Sequence, residues 1–252
     1  MACTCHLTRR RLLGAGAAVA LTPLAACYES GPALNLVSQG EVEALGLQSW
    51  QRIRATTALS PSAEAQGTAR TVTDRLVRAD GGNPAAWEVQ VFRGDEVNAF
   101  ALPGRKIGVW AGMMRRPQSR DELASVIGHE IGHLAANHGA ERINSQVATD
   151  LGLRTVEALL SAGDVGYARE IAGALGVGVE LGIARPYSRR QELEADAYGL
   201  RLMDRAGYDP EAALRLWARL SEQGARPPEI LSTHPAPGTR IAEMREILGE
   251  LS

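Results

Sequence analysis

Apolar side chains recur at helical spacing along most of this chain and alternate at strand spacing in one stretch only. Between Glu41 and Thr57 they fall at Val42, Leu45, Trp50 and Ile53, and between Ala63 and Ala79 at Ala65, Ala69, Val72 and Leu76. Both spacings set one stripe of a 3.6-residue helix against a core. Asp80-Gly81-Gly82-Asn83-Pro84 is a turn cluster that stops the second helix. Trp87 to Val91 then alternates with period two, and Arg93-Gly94-Asp95-Glu96 reads as a turn. Val97 to Leu102 is therefore expected to pair back as a hairpin. Pro103-Gly104-Arg105 turns again, and Lys106 to Trp110 predicts a third short strand.

Beyond Trp110 the pattern is helical. Ser119 stands three residues before Glu122, a capping-box spacing, just ahead of Leu123, Val126, Ile127 and Ile131. Ser188 and Gln191 repeat that spacing and open a helix that runs to Gly207. Asp209-Pro210 opens another that ends near Gly224, and a last helix covers roughly Thr239 to Leu251. Gln146 to Leu160 predicts a helix broken by Ser161-Ala162-Gly163-Asp164. Ile171 to Ala184 is apolar but short and carries Glu180, so it reads as a buried or mobile helix near the site rather than a membrane span. The whole predicts a predominantly helical α+β fold, with a small three-stranded sheet packed by the helix that follows Ser119.

Composition changes the picture mainly at the N-terminus. At 45% hydrophobic and 22% charged residues, the bulk of the chain is that of an ordinary globular protein. Thr8-Arg9-Arg10-Arg11-Leu12-Leu13 is a basic patch with a twin arginine, and Leu12 to Ala26 is an apolar run of fifteen residues. That length suits an export signal better than a membrane span. The run ends in Leu24-Ala25-Ala26-Cys27, which looks like a bacterial lipobox, with Cys27 the lipidated first residue of the mature chain. The expected organisation is a lipoprotein-type signal over 1–26, a tether over 27–40 and one domain over 41–252. Anchoring at the periplasmic side of the cell envelope follows. Tyr28 after the cysteine, where an aspartate often marks inner-membrane retention, favours the outer membrane. The first 26 residues hold three arginines and no acid, leaving 24 basic against 29 acidic side chains, so no nucleic-acid partner is expected. Cys3 and Cys5 leave with the signal, so the mature domain has neither a disulfide nor a thiol for a metal.

His129-Glu130-Ile131-Gly132-His133 carries the chemistry. Positions i and i+4 share a helix face, so two imidazoles can grip one zinc ion while the glutamate between them serves as base. A catalytic zinc site wants three protein ligands and an open position. Without cysteine the third must be His, Glu or Asp, and the best candidate segment is Glu192-Leu193-Glu194-Ala195-Asp196. Glu192 and Asp196 share a face there, and a carboxylate pair on an apolar helix is costly to bury without a partner. Glu194 projects elsewhere and reads as a solvated acidic position.

Several further segments stand in a telling order. They are Asn98-Ala99-Phe100-Ala101-Leu102-Pro103-Gly104, Asp121-Glu122-Leu123-Ala124 before the histidine motif, and Tyr187 to Glu192 before Glu194-Ala195-Asp196. Gly207-Tyr208-Asp209-Pro210 follows, then Ser232-Thr233-His234-Pro235 with Arg240-Ile241. Over about residues 40 to 250 the chain resembles the zinc metallopeptidase family of HtpX-type heat-shock proteases, zinc-type CAAX prenyl proteases and mitochondrial Oma-type proteases, in a periplasmic lipoprotein form. The resemblance implies a zincin-like domain, one Zn2+ per chain and protein or peptide substrates. It also implies His129, His133 and Glu192 as ligands, Glu130 as general base, and Asp196 as the carboxylate orienting a ligand histidine.

The expected activity is hydrolysis of peptide bonds in envelope proteins, in a quality-control role. Zinc acidifies a water, and Glu130 takes its proton as it attacks a peptide carbonyl. His234, a late histidine in a Pro-flanked loop, is expected to stabilise the oxyanion. Alternatively it fills the open zinc position and holds the enzyme inactive, or is a structural loop residue. Arg240 is expected to hold that loop or contact the oxyanion. His138, five residues past His133, should lie about 140° around the helix and face away from the metal. Substrate is expected to add as a strand along Ile107, Gly108 and Val109, where Gly108 allows close approach. The competing reading is a latent metalloprotease-fold assembly factor or chaperone-like binder of envelope proteins.

Overall fold

The helix starts follow from capping chemistry. Ser38 opens helix α1 (Gln39–Thr56) and Ser62 opens α2 (Ala63–Ala79), each side chain accepting a hydrogen bond from a first-turn backbone N–H. The structure, a computed structural model, describes residues 37–146, 186–222, 228–235 and 237–251. The expected export signal and residues 27–36 of the tether, Cys27 included, lie outside the described residues. So do the segment 171–184 and, apart from Gln146, the helix expected to reach Leu160.

Strands β1 (Glu88–Phe92), β2 (Ala99–Leu102) and β3 (Lys106–Trp110) form one sheet in the order β1-β3-β2. The β1–β2 hairpin expected from the pattern does not form. β1 runs parallel to β3, and β2 pairs antiparallel with β3. The hairpin lies at Pro103-Gly104-Arg105, where Gly104 (φ 83°) and Arg105 (φ 61°) are both left-handed. Successive positive φ values match the twist of an antiparallel pair. The other edge of β1 is taken by residues 58–60, through Ser60 N–H donating to Val91 O and Arg93 N–H to Ala58 O.

This order corrects the expected substrate strand. Ile107, Gly108 and Val109 lie in the central strand, paired on both sides, so no peptide can add there. A Cβ on Gly108 would stand 2.2 Å from the Phe100 ring. The glycine therefore accommodates a core aromatic ring.

The sheet is buried on both faces, which is why its strands hold so few polar residues. Val89, Val91, Ile107 and Val109 point to one core with Val72, Leu76, Ile127 and Ile131. Phe92, Phe100, Leu102 and Trp110 point to the other, against Trp50 and Leu45 of α1. Next come α3 (Ala111–Met114) and α4 (Arg120–Ala135) on the first core, α5 (His138–Gln146), whose Ile143 joins the second, and α6 (Arg189–Arg205) on the first again. They are followed by α7 (Glu211–Ser221), α8 (Ile230–Thr233) and α9 (Pro237–Leu251).

Candidate metal centre

Helices α4 and α6 supply the site, and each is held at its N-terminus. Ser119 Oγ accepts from Glu122 N–H at 3.2 Å, and the buried Glu122 carboxylate pairs with Arg219 of α7. Ser188 and Gln191 form a full capping box at the start of α6. The two helices touch backbone to backbone. A Cβ on Gly132 would meet Ala195 O at 2.6 Å, and one on Gly199 would meet Gly128 C and His129 N at 3.0 Å.

That approach brings four donors together. His129, His133, Glu192 and His234 each offer a ligand atom, all within 4.8 Å of one another and all buried. His129 Nε2 lies 3.0 Å from His133 Nε2 and 3.1 Å from His234 Nδ1. Glu192 Oε1 lies 3.0 Å from His234 Nδ1 and 3.4 Å from His133 Nε2, and its Oε2 lies 3.5 Å from His129 Nε2. A tetrahedral ion with bonds of 2.0–2.1 Å sets its ligands about 3.3 Å apart, so these spacings fit zinc.

Charge agrees with geometry. Glu130, Glu192 and Asp196 are buried, and Arg240 is the one buried guanidinium among the described residues, so with neutral imidazoles two negative charges are left for a divalent cation to offset. Glu130 Oε1 has no hydrogen-bond partner, with His234 Nε2 3.5 Å away. Glu192 Oε2 faces Arg240 Nη1 at 2.9 Å as an ion pair but accepts no aligned hydrogen bond.

Around the donors stands a supporting shell. Asp196 Oδ1 lies 2.8 Å from His129 Nδ1. Arg240 donates to both oxygens of Asp196 at 2.7 Å and to the His234 carbonyl at 3.2 Å, with its guanidinium 4.1 Å above the Trp217 ring. Tyr187 stacks on His133 at 3.8 Å.

The pKa shifts follow from this packing. Burial and Arg240 push His129 down, but the Asp196 and Glu192 carboxylates outweigh them and raise it to about 9. Burial holds His133 well below its usual range. Burial also raises Glu130, whereas His234 and Arg240 overcome burial at Glu192 and hold it well below the usual carboxylate range.

The structure thus brings His129, Glu130, His133, Glu192, Asp196, His234 and Arg240 into one site and leaves Ile107, Gly108 and Val109 in the sheet. It corrects the expectation for His138. Helix α4 ends at Ala135, and Asn137 is left-handed (φ 55°), so the ring turns back and its Nδ1 lies 2.9 Å from His133 Nδ1. Asparagine is a frequent left-handed helix terminator, which was the available signal. Tyr187 was read only as the start of the segment that leads into Glu192, and its stacking on His133 was not expected.

Residues 63–248 match the profile of peptidase family M48. The mitochondrial metalloendopeptidase OMA1 of Schizosaccharomyces pombe is 34% identical over 182 residues, covering 71% of this chain and 52% of that protein. The beta-barrel assembly-enhancing protease of Escherichia coli is 32% identical over 163 residues, covering 62% of this chain and 33% of that protein. The chain therefore spans about half or less of the length of these relatives.

Proposed function

The chain belongs to peptidase family M48, and from that premise we propose that it is a zinc-dependent endopeptidase acting on proteins of the bacterial cell envelope. The carrying observation is the convergence of His129, His133 and Glu192 on one point beside the unpartnered Glu130 oxygen. His129, His133 and Glu192 would hold zinc there, which when bound would supply Lewis acidity and lower the pKa of a water. Glu130, raised by burial and with an unpartnered Oε1, would be the group to take a water's proton and pass it to a departing amine. Asp196 accepts from His129 Nδ1 and so keeps the Nε2 lone pair turned to the donor cluster. Arg240 holds Asp196 and the His234 turn in place.

His234 would be a fourth ligand in a latent state. Its Nδ1 lies within the donor cluster, 3.1 Å from His129 Nε2 and 3.0 Å from Glu192 Oε1. The envelope assignment rests on the lipobox at Cys27 and on the name of the E. coli relative, and Tyr28 after the cysteine favours the outer membrane. Among the described residues no helix is long and apolar enough to cross a membrane. A Cys27→Ser change is expected to release the protein from the membrane fraction.

The test measures zinc content and casein digestion, with and without chelator, for wild type, Glu130→Gln and His234→Ala. One zinc per chain is expected in wild type and Glu130→Gln, with cleavage lost in the latter and raised in His234→Ala. Zinc binding without cleavage in both wild type and His234→Ala would favour the assembly-factor reading instead.

A further inference from the structure

His138 is fully buried at the start of α5, and its Nδ1 faces His133 Nδ1 at 2.9 Å. Two ring nitrogens at that distance form a hydrogen bond only if one of them carries a proton. His133 Nε2 lies in the donor cluster, 3.0 Å from His129 Nε2. As a ligand His133 must keep that lone pair free and carry its proton on Nδ1. His138 Nδ1 is then the acceptor, and the His138 proton sits on Nε2. There it meets Glu194 Oε2 at 3.3 Å, a half-exposed carboxylate that Arg190 holds at 3.1 Å.

We propose that His138 is a positioning residue that fixes the tautomer and aim of His133 toward the metal, with Glu194 fixing His138 in turn. The proposal rests on the zinc-site reading. The two ligand histidines are then oriented differently. His129 donates directly to a buried carboxylate, and His133 donates to a neutral imidazole backed by a surface carboxylate. The long contact to Glu194 makes it the weaker member of the relay.

Two substitutions separate this role from space-filling. His138→Phe keeps the ring and loses the acceptor. His138→Asn loses the ring but puts a carbonyl oxygen where Nδ1 stood. Zinc affinity is read by chelator competition, and ligand geometry by the visible spectrum of the cobalt-loaded protein. Phenylalanine is expected to weaken zinc binding about 10–100-fold and shift the cobalt spectrum. Asparagine is expected to stay within about threefold of wild type, and Glu194→Gln to lose less than His138→Phe. Equal affinities for wild type and His138→Phe, or an asparagine variant as weak as phenylalanine, would overturn the relay alone. Wild type that binds no zinc would overturn the site reading itself. Nitrogen-15 spectra of zinc-loaded wild type need no variant: His133 is expected protonated at Nδ1 and His138 at Nε2, and the opposite His138 tautomer would overturn the proposal.

Discussion

Replacing Arg240 by methionine keeps an unbranched stem against Trp217 and removes the only guanidinium that is fully buried among the described residues. Asp196 loses two hydrogen bonds of 2.7 Å, and Glu192 loses an ion pair of 2.9 Å. A charge pair about 4 Å apart at an effective dielectric near 20 is worth about 4 kcal/mol. Breaking a buried pair by removing one partner costs about 3–5 kcal/mol. Unfolding of the metal-free protein in urea at pH 7 should therefore lose about 3–5 kcal/mol, a large share of a typical domain's stability. The sign with pH follows from the same contacts. Arg240 helps hold Asp196 and Glu192 below their usual range, so its contribution is present above the unfolded carboxylate pKa and fades as pH falls. In the variant, protons replace the lost cation, and the gap between the two proteins should narrow on acidification. A loss below about 1 kcal/mol at pH 7, or a gap that widens toward acid, would refute the reasoning.

Three further outcomes follow from the same geometry. Metal-free His129 is raised to about 9, so zinc must displace its proton; affinity should rise about tenfold per pH unit between pH 7 and 9 and then level off, read by competition titration. A flat profile would refute that coupling. Gly199→Val should destabilise by about 1–3 kcal/mol and weaken zinc binding, because its Cβ meets backbone at 3.0 Å, whereas Gly199→Ala is partly offset by helix propensity. Trp50→Ala should cost about 3–5 kcal/mol in thermal or urea unfolding, yet leave zinc affinity within about threefold, since Trp50 packs on the sheet face away from α4.

Where the pattern was local it was legible. Capping-box spacings at Ser119 and Ser188 mark helix starts within a residue or two, and the spacing of His129 with His133 sets both on one face of α4. Where the outcome depended on distant partners it was not. Nothing in Trp87 to Val91 shows that β1 would pair in parallel with β3, because alternation reports a strand's faces and leaves its neighbours open. The substrate strand failed for the same reason. His138 failed because helical spacing was carried past Asn137, where one left-handed residue redirects the chain.

The chain's own order of residues determined which donors exist and how they stand on each helix, since the 3.6-residue repeat is a property of the backbone alone. Folding decided that Glu192 would meet histidines about sixty positions earlier. That meeting required two helices to approach until backbone touched backbone at Gly132 and Gly199, with Arg240 arriving from α9 to balance the charge. Such contacts depend on the packing of the whole core, which no local pattern encodes.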